Sequence, residues 1–193
     1  MIPITEIFDS IQAEIDVGIP STFVRVAGCD MKPLCKYCDS KHAWKEGKKY
    51  TVPQLVNELQ KSKMRQIVWT GGSPSLYFEE IRQCIDELLE IEHSLETNGL
   101  VFDINNCAFF DRISVSPKQQ NVNIDALAGF ADLTQARFKF IFDPKQPKWW
   151  EKIIDTLNIP KERVYMMPLG ASKEEHQKNV LKAVEYCKET GFN

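Results

Sequence analysis

Six short runs rich in β-branched and aromatic residues recur along the chain, with amphipathic segments of helical period between or after them. That alternation restricts the fold more than any other feature. The runs are Thr22-Phe-Val-Arg-Val-Ala27, Gln66-Ile-Val-Trp-Thr70, His93-Ser-Leu-Glu-Thr97, Arg112-Ile-Ser-Val-Ser116, Arg137-Phe-Lys-Phe-Ile-Phe142 and Arg163-Val-Tyr-Met-Met167. Helices are expected near 52–63, 77–91, 146–158 and 172–190, the first entered through Thr51 as N-cap with Pro53 just inside it. The stretch from Leu100 to Asp111 is too short for a full helix. Strand and helix alternating on one chain give a parallel sheet joined by right-handed crossovers. Six strands are too few for the closed eight-stranded form. The expected fold is therefore α/β, an open partial (β/α)6-type barrel with parallel strands, as a single domain over residues 1–193.

A chain of 193 residues, 43% of them apolar, is ample for one buried core. The start, Met1-Ile-Pro-Ile-Thr-Glu-Ile-Phe-Asp-Ser10, has no basic region leading into an apolar run. Apolar stretches elsewhere fall far below the roughly 18 residues that span a bilayer. The expected location is the cytoplasm. A net charge of −3 without a dense Lys/Arg run argues against a broad basic face for nucleic acid or an anionic membrane. A small-molecule substrate is expected instead.

In parallel sheets of this kind ligands sit beyond the carboxyl ends of the strands. The first run leads directly into a loop, residues 28–40, that holds Cys29, Cys35 and Cys38. Three cysteines within ten residues are too tightly spaced and too odd in number for a disulfide framework, and thiolate is the soft ligand of iron–sulfur clusters and zinc. Three ligands leave one coordination position open for chemistry. The alternative is structural: His42, four residues after Cys38, closes a tetrahedral zinc site with the three cysteines. Cys84, Cys107 and Cys187 stand singly in apolar or helical contexts and are expected to be buried reduced thiols.

The next three runs end in Thr70-Gly-Gly-Ser-Pro74, Glu96-Thr-Asn-Gly99 and Ser114-Val-Ser-Pro-Lys118. Taken singly these read as a glycine turn that admits close backbone approach, an Asn-Gly turn and a surface lysine. Arg25, taken singly, reads as a strand-end ion pair with a nearby acid, and Ser40 as a helix N-cap.

Taken together and in order, the cysteine triplet and these three loops resemble the radical S-adenosylmethionine enzymes, and within them the 7-carboxy-7-deazaguanine synthases. The resemblance runs from about residue 5 to residue 170 and includes the opening segment Glu6-Ile-Phe-Asp-Ser-Ile-Gln-Ala-Glu14. It implies that Cys29, Cys35 and Cys38 bind three irons of a [4Fe–4S] cluster whose fourth iron takes S-adenosylmethionine. It further implies Tyr37 near the adenine, Thr70, Gly71, Gly72 and Ser73 at the methionine amino group, and Ser116 and Lys118 at the ribose and carboxylate. Gln12 and Glu14 would contact a pterin ring and Arg25 would hold its carboxylate, a task suited to a guanidinium. Ser40 falls where the family places a ligand to Mg2+, a cation that prefers oxygen. Glu96, Thr97 and Asn98 lie where the family lines its substrate and cofactor pocket.

The implied activity is conversion of 6-carboxy-5,6,7,8-tetrahydropterin to 7-carboxy-7-deazaguanine with loss of ammonia. It comes with a reductase or flavodoxin-type electron donor and a homodimer. An activating enzyme that makes a glycyl radical on a partner protein is the alternative within the superfamily. A zinc-stabilised binding module is the alternative outside it. Four departures stand out. Five residues separate Cys29 from Cys35 where three are usual, with Lys32-Pro33 as the insertion, so that loop is expected to bulge. Ser73 stands where glutamate is common. Ala13 and Ile15 replace glycines and stiffen the opening segment. The family also runs on through a short closing tail beyond the position of Asn193.

Overall fold

The alternation in Arg137-Phe-Lys-Phe-Ile-Phe142 sends Phe138, Phe140 and Phe142 to one side, where they are buried, and Arg137, Lys139 and Ile141 to the other. The same two-sided logic organises the whole sheet of the computed structural model, which describes residues 1–15, 17–170 and 172–193. In chain order the strands are β1 (Ile2–Ile11), β2 (Pro20–Val26), β3 (Lys48–Tyr50), β4 (Gln66–Gly71), β5 (Glu92–Thr97), β6 (Arg112–Val115), β7 (Ala136–Phe142) and β8 (Val164–Pro168). The helices are α1 (Val52–Leu59), α2 (Phe78–Asp86), α3 (Ile104–Cys107), α4 (Ile124–Asp132), α5 (Trp149–Leu157) and α6 (Lys173–Thr190). Sheet order is β3-β1-β2-β4-β5-β6-β7-β8.

The six expected strands form the parallel part of this sheet, β2 with β4 through β8. β1 and β3 extend it antiparallel, and neither was expected. Only Ile2 and Ile4 of β1 are buried, and its register shifts between Ile4 and Glu6, so no sustained period-2 pattern marks it. Its outer half forms a ribbon with β2 in which Phe8 stacks on Phe23 at 5.2 Å. α1 starts as expected, with Thr51 and Gln54 forming a reciprocal capping box. α4 was not expected. It is short and contains Gly129, where a Cβ would lie 2.2 Å from the Phe102 ring that packs edge-on against Phe130. Between β5 and β6 the chain manages only the single turn α3.

Trp69, Phe130, Phe138, Phe140 and Trp150 are fully buried in the core. Trp150 Nε1 donates to Tyr186 Oη at 3.0 Å, and the same hydroxyl donates to Glu151 at 2.8 Å, which locks α6 onto α5. Cys84 and Cys107 are buried free thiols, as expected, while Cys187 is only half-buried. No helix among the described residues is long and apolar enough to cross a membrane.

The core also contains His93 of β5, whose Nδ1 accepts from Trp69 Nε1 at 3.1 Å while Nε2 donates to the Leu88 carbonyl at 3.2 Å. Burial, opposed by the Leu88 bond and the Asp111 charge, holds its pKa below the usual 6.5. A depressed folded pKa stabilises fully above the unfolded value and loses that contribution as pH falls below it. Denaturation midpoints of the wild type should therefore decline as pH is lowered from about 7.5 to about 5, and those of His93→Gln should decline less. Parallel pH profiles for the two proteins would rule this out.

Candidate active site

Strand polarity brings the C-terminal ends of β2 and β4 through β8 to one rim, and polar side chains line the concave face just below it. Arg25 of β2 lies opposite Thr70 of β4, and Glu96 of β5 opposite Ser114 of β6. Above and between them is a cleft of about 490 Å3. All of the site residues expected from the sequence line it except Ser73.

The cysteine loop and the Gly-Gly loop meet backbone to backbone. Gly72 N–H donates to the Val26 carbonyl at 3.0 Å, and Ser73 N–H to the Gly28 carbonyl at 2.8 Å. A Cβ on Gly72 would fall 1.6 Å from the Gly28 oxygen, so only glycine permits this approach. Cys35 is buried, and Cys29 and Cys38 are half-buried. The inserted Lys32 and Pro33 are exposed while Met31 is buried, so the longer loop bulges outward and keeps its sulfurs at the cleft.

Asp30, which the sequence did not single out, ties three loops together. Its carboxylate accepts from Ser73 Oγ, from Asn98 Nδ2 at 2.6 Å and from Ser75 Oγ at 3.0 Å. Ser73, 2% exposed, thus turns its hydroxyl behind the lining, 3.7 Å from Cys29 Sγ. Gln120 Nε2 donates to Cys35 Sγ at 2.9 Å, a second contact the sequence did not reveal.

Arg25 does make the strand-end ion pair, its Nε donating to Glu6 at 2.6 Å, but Nη1 also donates to Ser40 Oγ at 2.9 Å. Ser40 occupies the N-cap position of a short 3-10 turn, Lys41–Trp44, without capping it; its hydroxyl donates to Asp39 at 3.0 Å. The hydrogen bond from Arg25 holds the Glu6 carboxyl below the usual range. His42 Nε2 lies 3.2 Å from Glu6 Oε1, so its ring is directed at that carboxylate and away from a closed zinc set with the cysteines.

On the floor, Glu96 accepts from Thr70 Oγ1 at 2.6 Å and from Gln12 Nε2 at 3.3 Å. Gln12 Oε1 in turn accepts the backbone N–H groups of Ala13 and Glu14 at 2.8 and 3.0 Å, which fixes the opening segment. Burial, and then the Glu14 charge, push the Glu96 carboxyl up. Lys139 of β7, also not singled out, pairs with Glu14. Burial and the nearby Lys139 charge lower Lys118 to about 8, and its Nζ donates to Ser116 Oγ at 2.5 Å. Tyr37 is pushed up to about 12 by burial and then by the charges of Cys35 and Cys38.

The donor set fits an iron–sulfur cluster. Three free thiols share one loop and line one cleft, as the soft ligands of such a cluster must. Among the described residues no three His, Cys, Asp or Glu side chains converge on a point the size of one metal ion. A cluster does not require that, because each thiolate bonds a different iron.

Comparison with known proteins agrees with this chemistry. Residues 23–169 match the family model of the radical SAM superfamily. The 7-carboxy-7-deazaguanine synthase of Pyrobaculum aerophilum is 34% identical over 188 residues, which cover 90% of this chain and 82% of that protein. The Hyperthermus butylicus protein of the same name is 33% identical, covering 88% and 78%. The crystal structure of QueE from Escherichia coli superposes over 100% of this chain and 92% of its own with a TM-score of 0.77; at 22% identity it speaks for the fold alone. With its cysteine loop, its parallel sheet and these relatives all in agreement, the chain belongs to the radical SAM superfamily and, within it, to the 7-carboxy-7-deazaguanine synthases.

Proposed function

We propose that this protein converts 6-carboxy-5,6,7,8-tetrahydropterin to 7-carboxy-7-deazaguanine with release of ammonia. The observation that carries the reading is the meeting, in one cleft, of three reduced thiols with Arg25 and the Gln12–Glu96–Thr70 group. When bound, the [4Fe–4S] cluster and S-adenosylmethionine supply the electron and the hydrogen-abstracting radical; the protein's own work is to hold, orient and exclude water. Cys29, Cys35 and Cys38 hold the cluster. The carbonyls of Thr70 to Gly72 receive the methionine amino group, Tyr37 stands by the adenine, and Ser116 and Lys118 address ribose and carboxylate. Ser73 supports this wall from behind. Gln12, Glu14, Glu96, Thr97 and Asn98 enclose the pterin.

Arg25 grips the substrate carboxylate. Glu6 and Ser40 hold the guanidinium in place before substrate arrives, so little rotamer freedom is lost on binding. Ser40, whose hydroxyl lies between Arg25 and Asp39, would hold Mg2+, and that ion would supply further positive charge for the carboxylate. An electron donor of reductase or flavodoxin type and a homodimer belong to the same reading. So does a cytoplasmic setting, which keeps the thiols reduced.

The test is anaerobic turnover of reconstituted protein with and without the tetrahydropterin, following 5′-deoxyadenosine and the deazaguanine together. Product formed only with the pterin supports the reading, and cofactor cleavage indifferent to the pterin refutes it. Arg25→Ala should keep its iron and still cleave S-adenosylmethionine, but product formation should fall about 100-fold or more, as expected for a lost bidentate charge contact. Unchanged turnover would remove Arg25 from the carboxylate site.

A further inference from the structure

Ser114 of β6 is 2% exposed and lines the floor of the cleft, and its Oγ has no hydrogen-bond partner among the described residues. The other hydroxyls around it are engaged. Thr70 donates to Glu96, Ser116 accepts from Lys118, and Thr97 accepts the Gly99 N–H. Thr5 and Gln66 also bury an unpaired side-chain atom, but neither lines the cleft. A hydroxyl has one proton to give and two lone pairs to receive, and folded proteins rarely bury such a group idle. Ser114 is therefore built to meet something that enters the cleft.

Its position says which ligand. Ser114 lies within the strand, in register with Glu96, one step below Ser116 and Lys118 at the strand end. On its other side is β7, which aligns Ser114 with Arg137 and carries Lys139 two residues farther along the same face. The buried Glu96 carboxylate on one side and Lys139, paired with Glu14, on the other suit a flat nitrogen heterocycle that presents N–H and C=O groups along one edge. The hydroxyl assigned above to S-adenosylmethionine is that of Ser116, which is already engaged by Lys118 at the strand end. We infer that the Ser114 hydroxyl is a specificity-determining contact to the ring edge of the pterin substrate, exchanging one hydrogen bond with it and none with S-adenosylmethionine. This rests on the reading under Proposed function.

The experiment compares wild type with Ser114→Ala, both reconstituted without oxygen, by equilibrium binding of the tetrahydropterin and of S-adenosylmethionine separately. Thermal unfolding is measured without either ligand. The variant should bind the pterin roughly three- to tenfold more weakly, the factor one net hydrogen bond supplies. Its affinity for S-adenosylmethionine should be unchanged. Without ligand it should unfold no earlier than wild type, because it loses only an unpaired hydroxyl. A serine that merely packed the floor would do the reverse, lowering the unfolding temperature and sparing pterin affinity. Undiminished pterin binding by Ser114→Ala, with wild type binding it normally, overturns this inference alone. Wild type that binds S-adenosylmethionine but no pterin overturns the substrate reading, and this inference with it.

Discussion

Gly72→Ala is expected to lose the cysteine loop from its seat, lowering stability and iron content together. The new methyl carbon would lie 1.6 Å from the Gly28 oxygen and 2.5 Å from its carbonyl carbon, and both are backbone atoms with no rotamer to retreat into. Relief requires the loops to part. That breaks the bonds from Gly72 N–H to Val26 and from Ser73 N–H to Gly28. Overpacking alone costs about 1–3 kcal/mol and each lost buried hydrogen bond about 1 kcal/mol more, so a total of roughly 3–5 kcal/mol is expected. Parting the loops also displaces Cys29, the residue after Gly28. Denaturant midpoints and iron analysis read the two effects, and a variant with wild-type values for both would contradict the packing described above.

Cys35→Ala should act in the opposite manner, abolishing the cluster while sparing the fold. Cys35 is the most buried of the three sulfurs, held by Gln120 and facing the Lys118 charge, which together offset part of the rise that burial imposes on its thiol. Removing it leaves two thiolates, too few to fix four irons at one open position. Iron and sulfide should drop from about four of each per chain to traces, and 5′-deoxyadenosine formation should vanish. Stability should shift by about 1 kcal/mol or less, because none of the three cysteines belongs to the main hydrophobic cluster. Four irons and normal cleavage in this variant would mean that the cluster is held elsewhere. His42→Ala, with its ring directed at Glu6, should retain its iron.

The parallel part of the sheet was legible in the sequence because each of its strands carries its own signal. Phe-Lys-Phe-Ile-Phe alternates, Ile-Val-Trp runs apolar, and β4, β5 and β6 run into Gly-Gly-Ser-Pro, Asn-Gly and Ser-Pro turns. β1 and β3 were not legible because an edge ribbon buries little: two isoleucines of β1 carry its burial, and β3 has three residues. α4 hid behind a glycine whose purpose, room for Phe102, is a tertiary fact. The same division holds in the cleft. The cysteines and turn motifs are local, so they could be read directly. Lys139 was signalled by charges placed at alternate positions of β7, a pattern that puts them on the face opposite the phenylalanines. Asp30, Gln120 and Ser114 act through partners 43 to 85 residues away or through the lack of one, and no local spacing records that.

The three cysteines ride on a loop, and the main hydrophobic cluster around Trp69, Phe138, Phe140 and Trp150 contains none of them. That separation makes folding before loading the expected order. In a zinc finger the metal must arrive for the chain to fold at all. Here the barrel can form as the chain leaves the ribosome, and the inorganic centre can be delivered afterwards to a finished scaffold. Damage by oxygen would then strip the centre without condemning the polypeptide, which remains a template ready to be loaded again.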